Sequence, residues 1–289
     1  MTLTDALTGI SCPMVTPFSG TEIDDEALSA LIDHLLSGGI DGLVPCGTTG
    51  EFASLTREER THVIERTVDG SSVPVIAGAA SPSVEETTRL VADAAGAGAD
   101  AALVTAPYFH TASGPEGNER FFGSVADDAP IPLVLYNIPQ CVGTRIEPET
   151  VSSLAAHESV VGIKDSSGDL EYLLSVVRAT NEGFLVTQGY DSLLVPALRM
   201  GVDGGINALS NAVPETLSEA VSDPSGERGD ELHEAIAGLF SAVAPHGFAP
   251  GTKAALGHRG IIESTEVRPP LTEADDPAVG EAVDRARSV

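Results

Sequence analysis

The sequence predicts an α/β fold, a (β/α)8 TIM barrel with about three additional C-terminal helices. Eight short apolar runs alternate with longer stretches that have the amphipathic spacing of helices. The runs are apolar throughout, which is typical of parallel strands buried on both faces. A polar, glycine-containing break then precedes three further helix-like stretches. Eight repeated strand–helix units favour a closed barrel.

The predicted strands follow one another along the whole barrel region. They are ISCPMVTPF, GLVPCG, VPVIAGA, AALVTAP, IPLVLYN, VVGIKD, GFLVTQG and GGINAL. Thr56 and Ser83 precede helix-like stretches, where their hydroxyls are suited to N-capping. The structural alternative is a doubly wound sheet, which usually carries a glycine-rich first βα turn. The first strand here leads into TPFSGTEID, and the GAGAD run at 96–100 has the position of a helix end and turn.

The C-terminal part of the chain is set off by a polar break at 223–231. Three periodic stretches after it are predicted as helices: ELHEAIAGLFSAVAPH, TKAALGHRGI and DPAVGEAVDRARSV. We therefore expect a barrel over 1–223 and a C-terminal helical extension over 224–289 that packs on it.

Composition excludes several classes of partner. The 15 Lys and Arg residues against 43 Asp and Glu give a net charge of −28, which disfavours binding to nucleic acid or to anionic membranes. An acidic surface of this kind fits a halophilic protein, with ordinary acidic variation or a cationic partner as alternatives. The N-terminus lacks a basic leader, no apolar run spans a membrane, and the cysteines have no CxxC spacing. These features favour a cytoplasmic location.

Lys164 is the strongest candidate for catalysis because it ends an apolar predicted strand, VVGIK. In a barrel of this type the functional residues lie at the C-terminal ends of the strands. A lysine in such a pocket can be held as the neutral amine, which attacks a ketone and forms an imine. The alternative is a structural lysine that reaches solvent or pairs with Asp165.

Two further motifs end predicted strands. GTTGE, with Gly47, Thr48 and Thr49, offers backbone N–H groups and hydroxyls to an anion such as the carboxylate of a 2-keto acid. Its alternative role is a plain helix-capping turn. Tyr136 in LYNIP could move a proton to a substrate hydroxyl, or could be a core aromatic residue.

Together, GTTGE, YNIP and GIKDSSGD resemble the dihydrodipicolinate synthase and N-acetylneuraminate lyase family in order and spacing, over essentially the whole chain. The resemblance implies that Lys164 carries the imine and that Tyr136 transfers the proton. It implies that Thr49 and its backbone hold the keto-acid carboxylate and that Thr48 forms a hydroxyl relay to Tyr136. It also implies a homotetramer, and it places Gly189 and Ile206 at positions that line the substrate pocket.

Two departures from the family pattern narrow the class of substrate. The dihydrodipicolinate synthases have an arginine two residues after YNxP, which binds the carboxylate of the aldehyde substrate, and this chain has Cys141 there. Those synthases also use a tyrosine pair after the fourth strand, where this chain has Tyr108 and Phe109.

We therefore expect a class I aldolase that cleaves a 2-keto-3-deoxy sugar acid, 2-keto-3-deoxygluconate or its 6-phosphate, to pyruvate and an aldehyde. This would be a role in carbohydrate metabolism, and the segment GVDGGINALSNAVPE resembles the 2-keto-3-deoxygluconate aldolases. Tyr108 and Ser210 are predicted substrate-binding residues, and Asn207 and His110 are further candidates for substrate hydroxyls.

Three other functions rank lower. A dehydratase would use the same lysine imine on the same sugar acids. Below it come a dihydrodipicolinate synthase and then a non-catalytic barrel that binds keto acids. No cofactor is predicted because the imine itself withdraws electrons, and no metal site is predicted because the seven histidines form no HxH or HxxxH pair.

Overall fold

The computed structural model describes residues 1–112 and 114–289. Eight parallel strands form one sheet, and each lies in one of the eight apolar runs. They are β1 (Ile10–Pro13), β2 (Gly42–Val44), β3 (Ile76–Gly78), β4 (Ala101–Thr105), β5 (Leu133–Asn137), β6 (Val160–Asp165), β7 (Leu185–Gln188) and β8 (Gly204–Ile206). Nearly all their residues are buried, as strands covered on both faces must be.

The sheet curls into a barrel. Its strand order is β2-β1-β8-β7-β6-β5-β4-β3, and a parallel bridge between Leu43 and Val75 joins the two ends. Helices alternate with the strands along the chain. The predicted (β/α)8 barrel with C-terminal helices is thus confirmed.

The helices follow the strands as the periodicity predicts. They are α1 (Leu3–Thr8), α2 (Asp25–Ser37), α3 (Arg57–Gly70), α4 (Val84–Gly96), α5 (Gly114–Asp127), α6 (Pro139–Val142), α7 (Pro148–Leu154), α8 (Leu170–Ala179), α9 (Leu194–Arg199), α10 (Pro214–Ser222), α11 (Gly226–Val243), α12 (Phe248–His258) and α13 (Pro277–Arg287). A two-stranded hairpin, Phe18–Ser19 with Glu22–Ile23, lies between β1 and α2.

Helix α1 adds an element that the sequence analysis did not predict. Thr2 and Asp5 form a capping box at its start. Ser11 of β1 donates a hydrogen bond to the Ala6 carbonyl at 2.7 Å. The helix therefore packs against the N-terminal ends of the strands, opposite the end that carries the predicted site.

The predicted caps lie where the sequence placed them. Thr56 accepts a hydrogen bond from the Glu59 amide at 3.2 Å, and Ser83 accepts one from the Glu86 amide at 3.3 Å. Helix α4 ends in the GAGAD run, where Gly98 has a φ of +91°. Only glycine adopts such a backbone without strain, so this run is a turn, as predicted.

The C-terminal extension comprises α11, α12 and α13. Helix α11 begins at Gly226, inside the stretch predicted as a polar break, with Ser225 as its N-cap residue. The predicted boundary at 223 and 224 falls in the short connection between α10 and α11, and the division into two units stays a prediction. Side chains of all three helices join one hydrophobic cluster with barrel residues. Across residues 1–112 and 114–289, no helix has the length and apolar character needed to cross a membrane.

Candidate active site

Lys164 and Tyr136 lie side by side inside the barrel. They are register partners on β6 and β5, so their side chains leave the same face of the sheet. The ammonium nitrogen of Lys164 lies 4.5 Å from the centre of the Tyr136 ring, and both residues are only 4% exposed. The predicted pair is therefore brought together in a buried position.

Lys164 has no carboxylate within 4.0 Å among the residues that the structure describes. Asp165, the alternative partner, points to the other face of the strand. It accepts hydrogen bonds from the Asn137 amide at 2.6 Å and from the Ser167 hydroxyl at 2.9 Å. The Lys164 amine is therefore not held in an ion pair with a described carboxylate, and it faces the interior of the barrel beside Tyr136.

A narrow cleft surrounds the end of Lys164. Thr48, Thr49 and Tyr136 line it, together with Gly189. A Cβ added at Gly189 would lie 2.5 Å from Cε of Lys164, so glycine at this position leaves the lysine side chain its space. The four positions were predicted as site residues, and the structure places all of them around one amine.

The GTTGE loop has a constrained backbone. Cys46 and Glu51, at its two ends, have φ angles of 58° and 56°, in the left-handed region that few non-glycine residues adopt. The Gly50 amide donates to the Gly47 carbonyl at 3.1 Å and the Glu51 amide to the Thr48 carbonyl at 3.2 Å. This tight turn places Thr48 and Thr49 at the cleft, and their anion-binding role stays a prediction.

A buried ion pair anchors the same loop. Lys253 of α12 donates to Glu51 at 2.6 Å, and both side chains are fully buried. The second oxygen of Glu51 accepts from the Arg268 amide at 2.9 Å. The sequence analysis did not assign Lys253 a place, because no spacing rule connects α12 to a loop some 200 residues earlier.

A larger cavity of about 330 Å³ adjoins the cleft, and Thr48 lines both. Tyr108, predicted to bind substrate, lines this outer cavity, as does Cys141. The described lining of the outer cavity contains no lysine or arginine. Its wall is completed by Pro270 and Leu271, which follow the C-terminal helix α12.

Some predicted residues line neither cavity. Ser210 is fully buried and donates to the Asn207 carbonyl at 2.6 Å, and Ile206 lies in the core of β8. Gly47 lies at the loop but does not line the two cavities. His110 is on the surface beside Phe109, which is 88% exposed.

Sequence reasoning did not assign Ser166 or Phe248 to the site. Ser166 lines the cleft, donates to the Gly189 carbonyl at 3.0 Å and lies 3.5 Å from the Tyr136 hydroxyl. The serines of GIKDSSGD could have indicated it. Phe248 of α12 also lines the cleft, and no local pattern could have found it. The hydroxyl relay from Thr48 to Tyr136 stays a prediction, since the hydroxyl contact of Tyr136 is with Ser166.

Burial raises the pKa of Asp191 to about 6, and the positive charge of Lys164 opposes part of that shift. One carboxylate oxygen of Asp191 accepts from the Leu209 amide at 2.7 Å, while the other has no partner among the described residues. Burial also raises the pKa of Cys12 to about 12. No group of three or more metal-binding side chains occurs within 1–112 and 114–289.

Comparison with known proteins agrees with this geometry. The model of the dihydrodipicolinate synthetase family matches residues 6–286. The 4-hydroxy-tetrahydrodipicolinate synthase of Syntrophus aciditrophicus is 40% identical over 268 residues, covering 91% of each chain. The structure of that synthase from Methylacidiphilum fumariolicum superposes with a TM-score of 0.92 at 29% identity, covering 97% of this chain and 96% of the other.

The dihydrodipicolinate synthase of Acinetobacter baumannii, solved with pyruvate, also gives a TM-score of 0.92 at 29% identity, over 97% of this chain and 99% of the other. The prediction of a lyase-type, class I aldolase-like enzyme is confirmed at the level of the family. The prediction of a 2-keto-3-deoxygluconate aldolase, with its dehydratase alternative, is wrong. These relatives and structures are named as dihydrodipicolinate synthases, and none of them supports a sugar-acid substrate or the halophilic interpretation.

The error has a physical reason. Cys141 lines the outer cavity and Phe109 lies on the surface, so neither residue belongs to the cleft around Lys164. Both departures from the synthase pattern thus lie outside the cleft, while the family match extends over residues 6–286. The match over residues 6–286 and the 40% identity over 91% of the chain show that it belongs to the dihydrodipicolinate synthetase family.

Proposed function

We propose that the chain is a 4-hydroxy-tetrahydrodipicolinate synthase that joins pyruvate to an amino-acid aldehyde through an imine on Lys164. The observation that carries the proposal is the buried Lys164 amine, unpaired with any described carboxylate and next to Tyr136 and the GTTGE loop. The names of the relatives and the pyruvate complex of the Acinetobacter baumannii enzyme support it.

The second substrate follows from the product's carbon skeleton. Removing the carbons of pyruvate from a tetrahydrodipicolinate ring leaves a four-carbon amino acid with a terminal aldehyde, which is aspartate 4-semialdehyde. Its amino nitrogen becomes the ring nitrogen. The reaction therefore forms one carbon–carbon bond and one carbon–nitrogen double bond, and releases one water.

Each step has a residue suited to it. The neutral amine of Lys164 attacks the ketone carbon of pyruvate and water leaves, which gives the imine. Loss of a methyl proton gives the enamine, whose carbon attacks the aldehyde. Tyr136 supplies a proton to the resulting oxygen. The amine of the product then displaces Lys164 from the imine carbon, which closes the ring and frees the enzyme.

Thr49 and the folded GTTGE backbone are proposed to hold the pyruvate carboxylate, and Thr48 to stand between the cleft and the outer cavity. No metal or organic cofactor is required, since the protonated imine withdraws the electrons. We also propose a homotetramer, because the resemblance implies one and because Phe109 exposes an apolar ring with a φ of 77° at the barrel mouth.

Borohydride reduction in the presence of pyruvate tests the first half of the proposal. The wild-type protein should gain one reduced pyruvyl group on Lys164, located by peptide mass spectrometry, and the Lys164→Ala variant should gain none. Absence of the adduct from the wild type would refute the imine.

Addition of aspartate 4-semialdehyde and pyruvate tests the second half. The expected result is 4-hydroxy-tetrahydrodipicolinate, detected by mass, with glyceraldehyde as the competing acceptor. An enzyme that forms the pyruvate adduct but gives no product with aspartate 4-semialdehyde is not this synthase.

A further inference from the structure

Thr105 ends β4 beside the catalytic pair. It is the register partner of Tyr136, which is in turn the partner of Lys164. Register partners in a parallel sheet point to the same face, so Thr105 projects into the barrel in the same layer as these two residues. The layer continues with Thr187, the partner of Lys164 on β7.

The hydroxyl of Thr105 is buried and unsatisfied. The residue is 4% exposed, and its Oγ1 has no hydrogen-bond partner among the described residues. Thr187 of the same layer differs, because its hydroxyl donates to the Ile163 carbonyl at 3.1 Å. Buried polar groups are nearly always paired in proteins, so a group of a bound ligand can supply the partner that this hydroxyl lacks.

The cavity that Thr105 lines is the outer one, shared with Thr48, Tyr108 and Cys141. Glu51 also lines it, but its carboxylate is already paired with Lys253. Apart from the Glu51 carboxylate and the hydroxyl and thiol groups, the lining of this cavity is mostly apolar, and its described part contains no cation. A carboxylate that enters this cavity therefore depends on neutral donors, and the Thr105 hydroxyl is one that no protein group engages.

We propose that Thr105 determines acceptor specificity by donating a hydrogen bond from its hydroxyl to the carboxylate of the aldehyde substrate. The proposal rests on the synthase function proposed above. It gives a physical account of how the site accepts an acidic aldehyde with a cysteine, Cys141, where the synthases that it resembles have a guanidinium. Thr105 binds the acceptor and takes no part in forming the pyruvate imine.

The test compares Thr105→Val, which keeps the shape and removes the hydroxyl, with Thr105→Ser, which keeps the hydroxyl. Thr88→Val is the matched control, since Thr88 also has an unpartnered buried hydroxyl but lies on α4 and lines neither cavity. For Thr105→Val we expect the KM for aspartate 4-semialdehyde to rise about tenfold or more, the range of a hydrogen bond to a charged group. Thr105→Ser and Thr88→Val should stay within about twofold of the wild type.

Two readouts separate this role from a structural one. Borohydride trapping of pyruvate on Lys164 should be unchanged in Thr105→Val, and the rate with a simple aldehyde that lacks a carboxylate should be equal in Thr105→Val and wild type. An unchanged KM for aspartate 4-semialdehyde overturns the proposal. A fall in kcat with that KM unchanged also overturns it, because the hydroxyl would then act on the reacting oxygen.

The proposed function and this inference fail in different ways. Loss of trapping in the wild type refutes the imine. Trapping without turnover of aspartate 4-semialdehyde refutes the synthase and, with it, the carboxylate contact of Thr105. Turnover by the wild type with an unaltered Thr105→Val variant refutes the inference alone.

Discussion

Replacement of Lys253 by methionine should destabilise the protein and loosen the GTTGE loop. Lys253 donates to Glu51 at 2.6 Å and to the Glu266 carbonyl at 2.6 Å, and its ammonium lies 4.2 Å from the centre of the Phe18 ring. The Lys253→Met variant leaves the fully buried Glu51 carboxylate with only the Arg268 amide as donor. Removing one partner of a buried pair lowers the free energy of unfolding by about 3–5 kcal/mol. Because the Arg268 amide still donates to Glu51, we expect a loss near the lower end, at about 3 kcal/mol.

Equilibrium unfolding in urea measures this loss, with Glu51→Gln and the double variant completing the cycle. The double variant should lose less than the sum of the two single changes, because neither charge is then left unpaired. The KM for pyruvate should rise in Lys253→Met, since Glu51 ends the loop that carries Thr48 and Thr49. A loss below about 1 kcal/mol for Lys253→Met, or additive single changes, would refute the reasoning that the ion pair holds this loop.

Three other predictions concern the site and the charge. Gly189→Ala should slow pyruvate trapping at least about tenfold, because its Cβ would meet Cε of Lys164 at 2.5 Å; Gly96→Ala, which meets nothing within 4 Å, should trap at the wild-type rate. Burial raises the pKa of Asp191 from the ordinary 3.8 to about 6. The protonated carboxyl group therefore contributes its full stability to the fold below pH 3.8, and this contribution is lost as the pH rises through about 6. The stability of Asp191→Asn relative to wild type should therefore increase by up to about 3 kcal/mol between pH 4 and 7 in urea titrations, and a constant difference would contradict the shift. The net charge of −28 predicts that Tm rises from dilute to molar NaCl as repulsion is screened, and an unchanged Tm would count against this.

The barrel could be predicted from the sequence because its strands are continuous apolar runs. Once the strands were placed, the rule that barrel sites lie at strand C-terminal ends selected Lys164 and Tyr136, which the structure brings together. The GTTGE loop was found in the same way. These predictions succeed because the positions and ends of the strands are local properties of the chain.

The rest of the site depends on packing between distant segments. Phe248 and Leu271 reach the two cavities from the C-terminal extension, and no periodicity or spacing indicates where that extension packs. The unsatisfied hydroxyl of Thr105 is visible only when its neighbours are known. The acceptor was predicted wrongly because Cys141 and Phe109 were interpreted from the sequence pattern, without the outer cavity that Cys141 lines or the exposed position of Phe109.

The bridge between Leu43 and Val75 closes the barrel at its most sparsely bonded seam. On the far side, β5 and β6 pair from Leu133 with Val160 to Asn137 with Asp165, with one register shift after Leu133. Amide hydrogens near the seam should therefore exchange with solvent sooner than those around Lys164. Lys164 and Tyr136 thus lie on the most extensively paired strands of the barrel, while the GTTGE loop follows β2, which borders the sparsely bonded seam.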